Sequence, residues 1–211
     1  MQISDIVEFW SKLEQDQSTG HWFHPADRNA LSSQHTFNLQ YPVSPYVGQI
    51  ETAEVIILGA NAGYSSELTP TEFPNQASIE AYVQRVRNPK GSDWSFVSRY
   101  YHGVNYGPLV VNGDAALINA SPYRSPKVSE EPDNRRVIAN LPSSAFNRRW
   151  LIEAVLPLAQ KGDRLIVAKR AGLWKLPATV KASSGVAVDP APVSPQITST
   201  AWAAVQEFLK K

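Results

Sequence analysis

The segment at residues 53–65, AEVIILGANAGYS, contains the pattern that decides the fold. Its apolar part is short, mostly β-branched and closed by Gly59, and this pattern predicts a buried strand at residues 54–58. The residues that follow, GANAGYSS, combine two glycines with an asparagine and predict a turn at the carboxyl end of the strand. The strand would therefore present this turn at the edge of a sheet.

Similar apolar runs recur along the chain and alternate with amphipathic helices. Strands are predicted at residues 114–119 (DAALIN) and 164–168 (RLIVA), and a fourth at either 179–182 or 185–188. Such alternation indicates one α/β domain over residues 1–211, a three-layer α/β/α fold with a central, mostly parallel four-stranded sheet. A helix-and-loop extension is predicted at residues 1–45, helices at 4–16, 75–88, 143–160 and 195–210, and a long polar connection at 120–141.

Composition limits the chemistry available to this chain. Because the chain has no cysteine, it has no disulfide, no catalytic thiolate and no cysteine-ligated zinc or iron–sulfur cluster. No apolar run approaches the roughly 20 residues of a membrane-spanning helix, and the polar N-terminal stretch lacks the apolar core of a signal peptide. We therefore expect a cytoplasmic monomer with no membrane partner. The net charge of +1 neither favours nor excludes nucleic acid as a partner.

Three unusual segments are expected at one edge of the sheet. In open α/β sheets, ligands bind beyond the carboxyl ends of the strands, where the strand order switches. The segments are GANAGYSS at 59–66, NASPYRSP at 119–126 and SSGVAVDPAPVSP at 183–195, and together they predict one site. The first has neither the lysine of a phosphate loop nor the glycine spacing of a dinucleotide fingerprint. A flavodoxin-like or nucleotide-cofactor domain is therefore the weaker alternative, and we expect no cofactor.

The motifs in these segments resemble those of the uracil-DNA glycosylase superfamily. Residues 45–63, PYVGQIETAEVIILGANAG, are similar to the lead-in, strand and first motif of that family. The asparagine in this motif is similar to the mismatch-specific thymine/uracil branch, which has asparagine where other branches have an acidic residue. ALINASPYRSP, at 116–126, is similar to the next strand, which ends in asparagine. GDRLIVAKRAGLWKLP, at 162–177, resembles the third motif-bearing strand. The resemblance implies that fold over residues 45–211 and hydrolysis of the N-glycosidic bond of a flipped-out, uracil-like or modified base in DNA.

The resemblance also implies roles for individual residues. Asn61 would orient a water at the sugar C1′, and Asn119 would read the base, since an amide offers both a donor and an acceptor to its Watson–Crick edge. Tyr64 would stack on the extruded base, and Gly59 and Gly63 would lie against it. Cleavage develops charge on the sugar and the base, which preorganised dipoles can stabilise. The alternatives are that Asn61 only forms a turn, Asn119 only caps a loop and Tyr64 only covers the core.

The last motif departs from the family pattern. The family usually has His-Pro-Ser or a relative before the final helix, whereas residues 182–198, ASSGVAVDPAPVSPQIT, contain neither that histidine nor the asparagine that replaces it in the mismatch-specific branch. Ser183 and Ser184 are the nearest hydrogen-bonding candidates for contact with DNA, and residues 190–192 form a possible rigid wedge. The departure leaves a second hypothesis open: a catalytically inactive nucleic-acid or nucleobase binding module on the same fold.

Basic residues beside the predicted site are candidates for DNA contact. Arg124 and Lys127 lie in the predicted connection at 120–141, where they could neutralise phosphates, and a solvated loop is the alternative. His21 and His24 have a spacing seen in metal sites but lack neighbouring cysteines or a carboxylate cluster, so no metal is expected. Arg135 and Arg136 lie in the same connection and are candidates for the same reason. Further basic clusters comprise Arg85, Arg87 and Lys90, and then Arg148 and Arg149.

Overall fold

The computed structural model describes residues 1–87, 103–128, 131–190 and 195–211. The N-terminal segment packs on the rest of the domain through short helices and strands. Helix α1 (Asp5–Trp10) is followed by an antiparallel pair, β1 (Glu14–Gln15) and β2 (Trp22–Phe23). The helix is shorter than predicted because residues 14–15 pair with 22–23. Ser4 occupies the N-cap position, but its side chain makes no capping hydrogen bond.

A five-stranded sheet forms the centre of the domain. Its strand order is β3-β5-β4-β6-β7, and β3 is antiparallel to β5 while the other neighbours are parallel. A mostly parallel sheet in an α/β fold is therefore confirmed, with the edge strand β3 in addition to the four strands predicted. The strands are β3 (Tyr46–Val47), β4 (Val55–Gly63), β5 (Ala115–Ser125), β6 (Leu165–Ala168) and β7 (Val186–Val188).

Helices cover both faces of this sheet. The structure assigns helices α2 (Thr69–Glu72), α3 (Gln76–Arg87), α4 (Gly107–Asn112), α5 (Pro132–Asn140), α6 (Pro142–Trp150), α7 (Leu156–Lys161), α8 (Ala178–Lys181) and α9 (Ser199–Phe208). Ile56 and Leu58 of β4 pack with α1, α6 and α7, whereas Val55 and Ile57 pack with α3, α4 and α9. This alternation follows from the two-residue period of a strand. None of the described helices is long and apolar enough to cross a membrane.

Two strands extend well past their predicted ends. β4 continues through the predicted turn to Gly63, and β5 continues to Ser125 through the first residues of the predicted connection. The strands remain paired as Gly59↔Asn119, Asn61↔Ser121 and Gly63↔Ser125. Between the last two pairs β4 advances by two residues and β5 by four, which is a bulge. The prediction of a turn at 59–63 and a loop at 120–125 is wrong because these polar residues are buried and hydrogen-bonded within the sheet.

The helical predictions are mostly confirmed, with local corrections. A continuous helical segment runs from α6 through a π-turn at Leu151–Val155 into α7, and ends at Gly162, which has φ 86°. The π-turn ends two residues before Pro157, which has no N–H to donate to the preceding turn. Helix α5 occupies part of the predicted connection. The fourth parallel strand is the second of the two predicted alternatives, and residues 178–181 form α8 instead.

A buried polar network fastens the N-terminal segment to α6. The Asp27 carboxylate accepts hydrogen bonds from the Ser143 N–H (2.9 Å), in the first turn of α6, and from the Tyr123 hydroxyl (2.7 Å). Burial and Asp27 raise the pKa of Tyr123, so this hydroxyl stays a donor. His24 Nδ1 accepts from the Ala26 N–H (3.2 Å), which leaves Nε2 to donate to the Phe9 carbonyl (3.0 Å) in the neutral ring.

The order of the strands creates a switch point at the centre of the sheet. The chain passes from β4 to β5 on one side, then crosses back to β6 on the other side of β4. Ligands in open α/β sheets bind beyond the carboxyl ends of the strands at such a point. The carboxyl ends of β4, β5 and β6 are therefore where a site is expected.

Candidate functional site

A polar cleft lies at the carboxyl ends of the three central parallel strands. It has about 40 Å³ of free volume, which is room for a few water molecules. The structure brings Asn61, Asn119 and Gly59 together there, as the sequence predicted, and adds two cations, Lys169 and Arg170. Among the described residues, the lining also includes Ala60, Val104, Tyr106, Leu117 and Pro195.

The side chain of Asn61 is fixed by main-chain carbonyls. It is 5% exposed, and its Nδ2 donates to the carbonyls of Ala62 (2.9 Å) and Ser125 (3.1 Å). Two carbonyl partners identify the nitrogen of the amide, because an oxygen could not donate to them. Oδ1 has no hydrogen-bond donor among the described residues, so it is the atom of Asn61 that remains for a water or ligand.

Asn119 is fixed from the neighbouring strand. It is 1% exposed, and its Nδ2 donates to the Ser44 carbonyl at 2.7 Å. Its Oδ1 lies over Gly59, where a Cβ atom would come within 2.4 Å of it. Gly59 is therefore required by the close approach of the amide. The Gly59 carbonyl in turn accepts a hydrogen bond from the Trp174 indole at 2.8 Å.

Lys169 is a cleft residue that the sequence interpretation missed. It directly follows β6, and its ammonium donates to the Gln196 carbonyl and lies 3.9 Å from Asp189 Oδ2. Burial lowers the pKa of Lys169, while the Asp189 charge opposes that shift. The signal that could have identified it is its position, because the first residue after a buried parallel strand lies at the ligand-binding edge. Lys169 therefore lines the same cleft as the two amides.

Tyr64 and Gly63 lie outside the cleft, in an adjacent pocket. Gly63 is the last residue of β4, and Tyr64 is half-buried with its ring centroid 6.3 Å from that of Tyr41. Both line a separate pocket of about 120 Å³. The structure therefore does not bring Tyr64 next to the two amides.

Arg124 is a buried strand residue rather than a loop cation. It is 1% exposed on β5, where Nε donates to the Pro42 carbonyl (2.9 Å) and Nη1 to the Gly63 carbonyl (3.0 Å). The prediction that it lies on a solvated DNA-binding loop is corrected, because its guanidinium is enclosed by the fold. Lys127, two residues beyond the end of β5, is exposed.

Ser183 and Ser184 lie away from the cleft. They precede β7, so they lie towards the amino end of a parallel strand, opposite to the edge that holds the amides. The Ser183 hydroxyl donates to the Thr179 carbonyl at the end of α8 (2.9 Å), and Ser184 is exposed. The structure therefore separates these serines from the rest of the predicted site. Of the possible wedge at 190–192, residues 191–192 lie outside the described residues, as does Lys90.

The described residues contain no metal centre of the usual kind. No group of three or more histidine and acidic side chains in the described ranges could hold an ion. Both ring nitrogens of His24 already have main-chain partners, so this histidine is not available as a ligand.

The fold and the cleft together define a class of protein: an α/β domain with a polar, amide-lined cleft at the switch point of its sheet. Comparisons of the chain with family models, curated proteins and solved structures found no significant match. Function is therefore inferred from the residues of the cleft and from the motif resemblance.

Proposed function

We propose that this protein is a uracil-DNA glycosylase-like enzyme that hydrolyses the N-glycosidic bond of a flipped-out uracil-like or modified base in DNA. The observation that supports it best is the placement of two buried side-chain amides, Asn61 and Asn119, in one cleft. Each amide has its Nδ2 bonded to a main-chain carbonyl, so its direction is set before a ligand binds. Preorganised dipoles of this kind can stabilise the charges that develop when the bond breaks.

The proposed role of Asn61 follows from its free Oδ1 atom, and that of Asn119 follows from its position in the cleft. Asn61 Oδ1 would accept a hydrogen bond from a water and hold it at the sugar C1′. An amide is too weak a base to deprotonate water, so bond breaking would lead and water attack would follow. Asn119 would bind the edge of the base, which an amide can do as donor and acceptor.

Lys169 would support the leaving base in place of the histidine that does so elsewhere in the family. The leaving base carries negative charge as the bond breaks, and a cation held in a water-poor cleft stabilises that charge strongly. Lys169 is 4% exposed and fixed by Asp189 and Gln196, so little reorganisation is needed. The proposal includes the uracil-DNA glycosylase-like fold, DNA as the partner and a cytoplasmic monomer.

Single-turnover release of free base tests the proposal. The substrates are single- and double-stranded oligonucleotides that contain uracil, mismatched thymine or hypoxanthine. We expect Asn61→Ala and Asn119→Ala each to slow release by about 10²-fold or more. Asn140→Ala, which changes an exposed asparagine on α5, is the matched control and should release base at the wild-type rate. Absence of release from every substrate by the wild-type protein would refute the enzymatic proposal.

A second candidate, a non-catalytic nucleic-acid or nucleobase binding module, is favoured by one observation. The described residues that line the cleft include no histidine and no carboxylate, which are the side chains that most often act as general bases. This candidate predicts salt-dependent DNA binding without base release. Arg170→Gln, combined with Lys175→Gln in the same turn, should reduce the slope of log affinity against log salt by about 2 if both contact phosphates. No binding to any nucleic acid would exclude it.

A further inference from the structure

The guanidinium of Arg124 is a buried charge with unfilled hydrogen-bonding capacity. It has five N–H donors, of which one on Nε and one on Nη1 are bonded to carbonyls. Nη2 is buried with no hydrogen-bond partner, and Arg124 forms no ion pair with any carboxylate of the described residues. Buried charges are ordinarily paired, so this donor requires an acceptor that the described part of the chain does not provide.

Two aromatic rings contact the guanidinium but accept no hydrogen bond from its N–H groups. Its central carbon lies 5.0 Å from the ring centroid of Phe73 and 5.3 Å from that of Tyr82. Such contacts stabilise a cation through the faces of the rings but provide no acceptor for the N–H groups in its plane. The two rings and the two carbonyls together fix the orientation of the guanidinium.

The pocket beside Arg124 has further donors. Ser65 Oγ accepts hydrogen bonds from the N–H groups of Glu67 (3.3 Å) and Leu68 (3.1 Å), which leaves its own proton to donate. The Tyr64 hydroxyl has no partner among the described residues. The pocket of about 120 Å³ is lined by Arg124 with Gly63, Tyr64, Ser65, Leu68, Thr69, Glu72 and Pro126.

We propose that this pocket binds a phosphate group. The planar fork of an arginine matches two oxygens of a phosphate, and the hydroxyls of Tyr64 and Ser65 would donate to the others. Glu72 is the one carboxylate among the described lining residues, and its charge opposes an anion. We therefore expect binding to be weak and sensitive to that charge. A bound phosphate would supply the acceptor that the Arg124 side chain lacks.

The phosphate could belong to a nucleic acid strand or be free in solution. The chain passes from the cleft residue Asn61 to the pocket residues Gly63 and Tyr64 within three positions, so a strand bound at the cleft could place a phosphodiester in the pocket. A nucleic acid strand as the source of the phosphate rests on the proposed function. Free phosphate, or a small phosphate ester, would not require it.

Calorimetric titration of the full chain with inorganic phosphate at constant ionic strength tests the pocket without any base release. We expect saturable binding, which Glu72→Gln should tighten by about two- to fivefold because it removes a partly screened negative charge. Glu67→Gln, which changes an exposed carboxylate outside the pocket, is the control and should bind as wild type does. Arg124→Gln should abolish binding, provided that circular dichroism shows it to be folded.

The outcomes distinguish the pocket from the proposed enzyme activity. Absence of saturable binding to both the wild type and Glu72→Gln would overturn the proposal, as would binding that Glu72→Gln leaves unchanged. If Arg124→Gln does not fold, the comparison of the two glutamate variants decides. An oligonucleotide without a target base identifies the source: displacement of phosphate supports a phosphodiester, and no displacement supports free phosphate. None of these binding results depends on base release, so a failure of base release would not change their interpretation.

Discussion

Replacing Gly59 with alanine is expected to displace the Asn119 amide from the cleft. The new Cβ would lie 2.4 Å from Asn119 Oδ1 and 3.0 Å from Leu117 Cδ1, and the first distance is far inside van der Waals contact. The amide must rotate, which breaks its hydrogen bond to the Ser44 carbonyl. Overpacking costs about 1–3 kcal/mol and the lost hydrogen bond about 1 kcal/mol. We therefore expect Gly59→Ala to lower the free energy of unfolding by about 2–4 kcal/mol.

Urea unfolding followed by circular dichroism measures this effect. Gly172→Ala is the matched control, because a Cβ there meets no atom within 4 Å, and it should change stability by less than about 0.5 kcal/mol. In the Asn119→Ala background the main clash is absent, so Gly59→Ala should cost about 1–2 kcal/mol less than in the wild type. Equal costs in the two backgrounds would contradict this account, since they would show that the Asn119 amide does not limit the size of residue 59.

Three further predictions concern the buried polar groups. Asp27→Ala leaves two buried donors without an acceptor and should lower the free energy of unfolding, measured by urea unfolding, by about 2–4 kcal/mol. The control Asp133→Ala removes a surface ion pair and should cost less than about 1 kcal/mol. Equal effects of the two variants would contradict the account of the network. Burial lowers the pKa of His24 below 6.5, so the unfolded state binds the proton more tightly than the folded state. The free energy of unfolding should therefore fall as pH decreases from 6.5 through the folded-state pKa. Urea unfolding over this pH range should show a smaller fall for His24→Gln, and an identical pH dependence would reject the assignment to His24. Lys169→Gln should slow base release by about 10²-fold in single-turnover assays if its charge stabilises the leaving base, and an unchanged rate would assign Lys169 to structure alone.

The parts of the fold that could be predicted are those whose side chains are apolar. The β-branched residues at 55–58 and 165–168 identify strands from the sequence alone, and their alternation with helices indicates the parallel sheet. The ends of β4 and β5 could not be predicted in this way. Ser121, Arg124 and Ser125 are polar, and only contacts from distant segments explain their burial in a strand.

The candidate site was predictable in position and only partly in composition. Asn61 and Asn119 follow apolar runs, and the geometry of parallel sheets brings such residues to one edge. Lys169 meets the same criterion, but the motif resemblance assigns it no role. For Arg124 the sequence gives its charge and not its surroundings, since the carbonyls of Pro42 and Gly63 that surround it come from separate parts of the chain.

The placement of both amides on paired strands restricts how this site can diverge. Gly59 and Asn119 are opposite each other in the β4–β5 ladder, so their positions depend on strand register. Deleting one residue from 115–118 would put Ala120 opposite Gly59 and turn the asparagine towards the other face of the sheet. Sites built on loops tolerate insertions and deletions, whereas the two amides of this cleft keep their positions only while the lengths of β4 and β5 are unchanged. Length variation among descendants of this chain should therefore be confined to the segments between its strands.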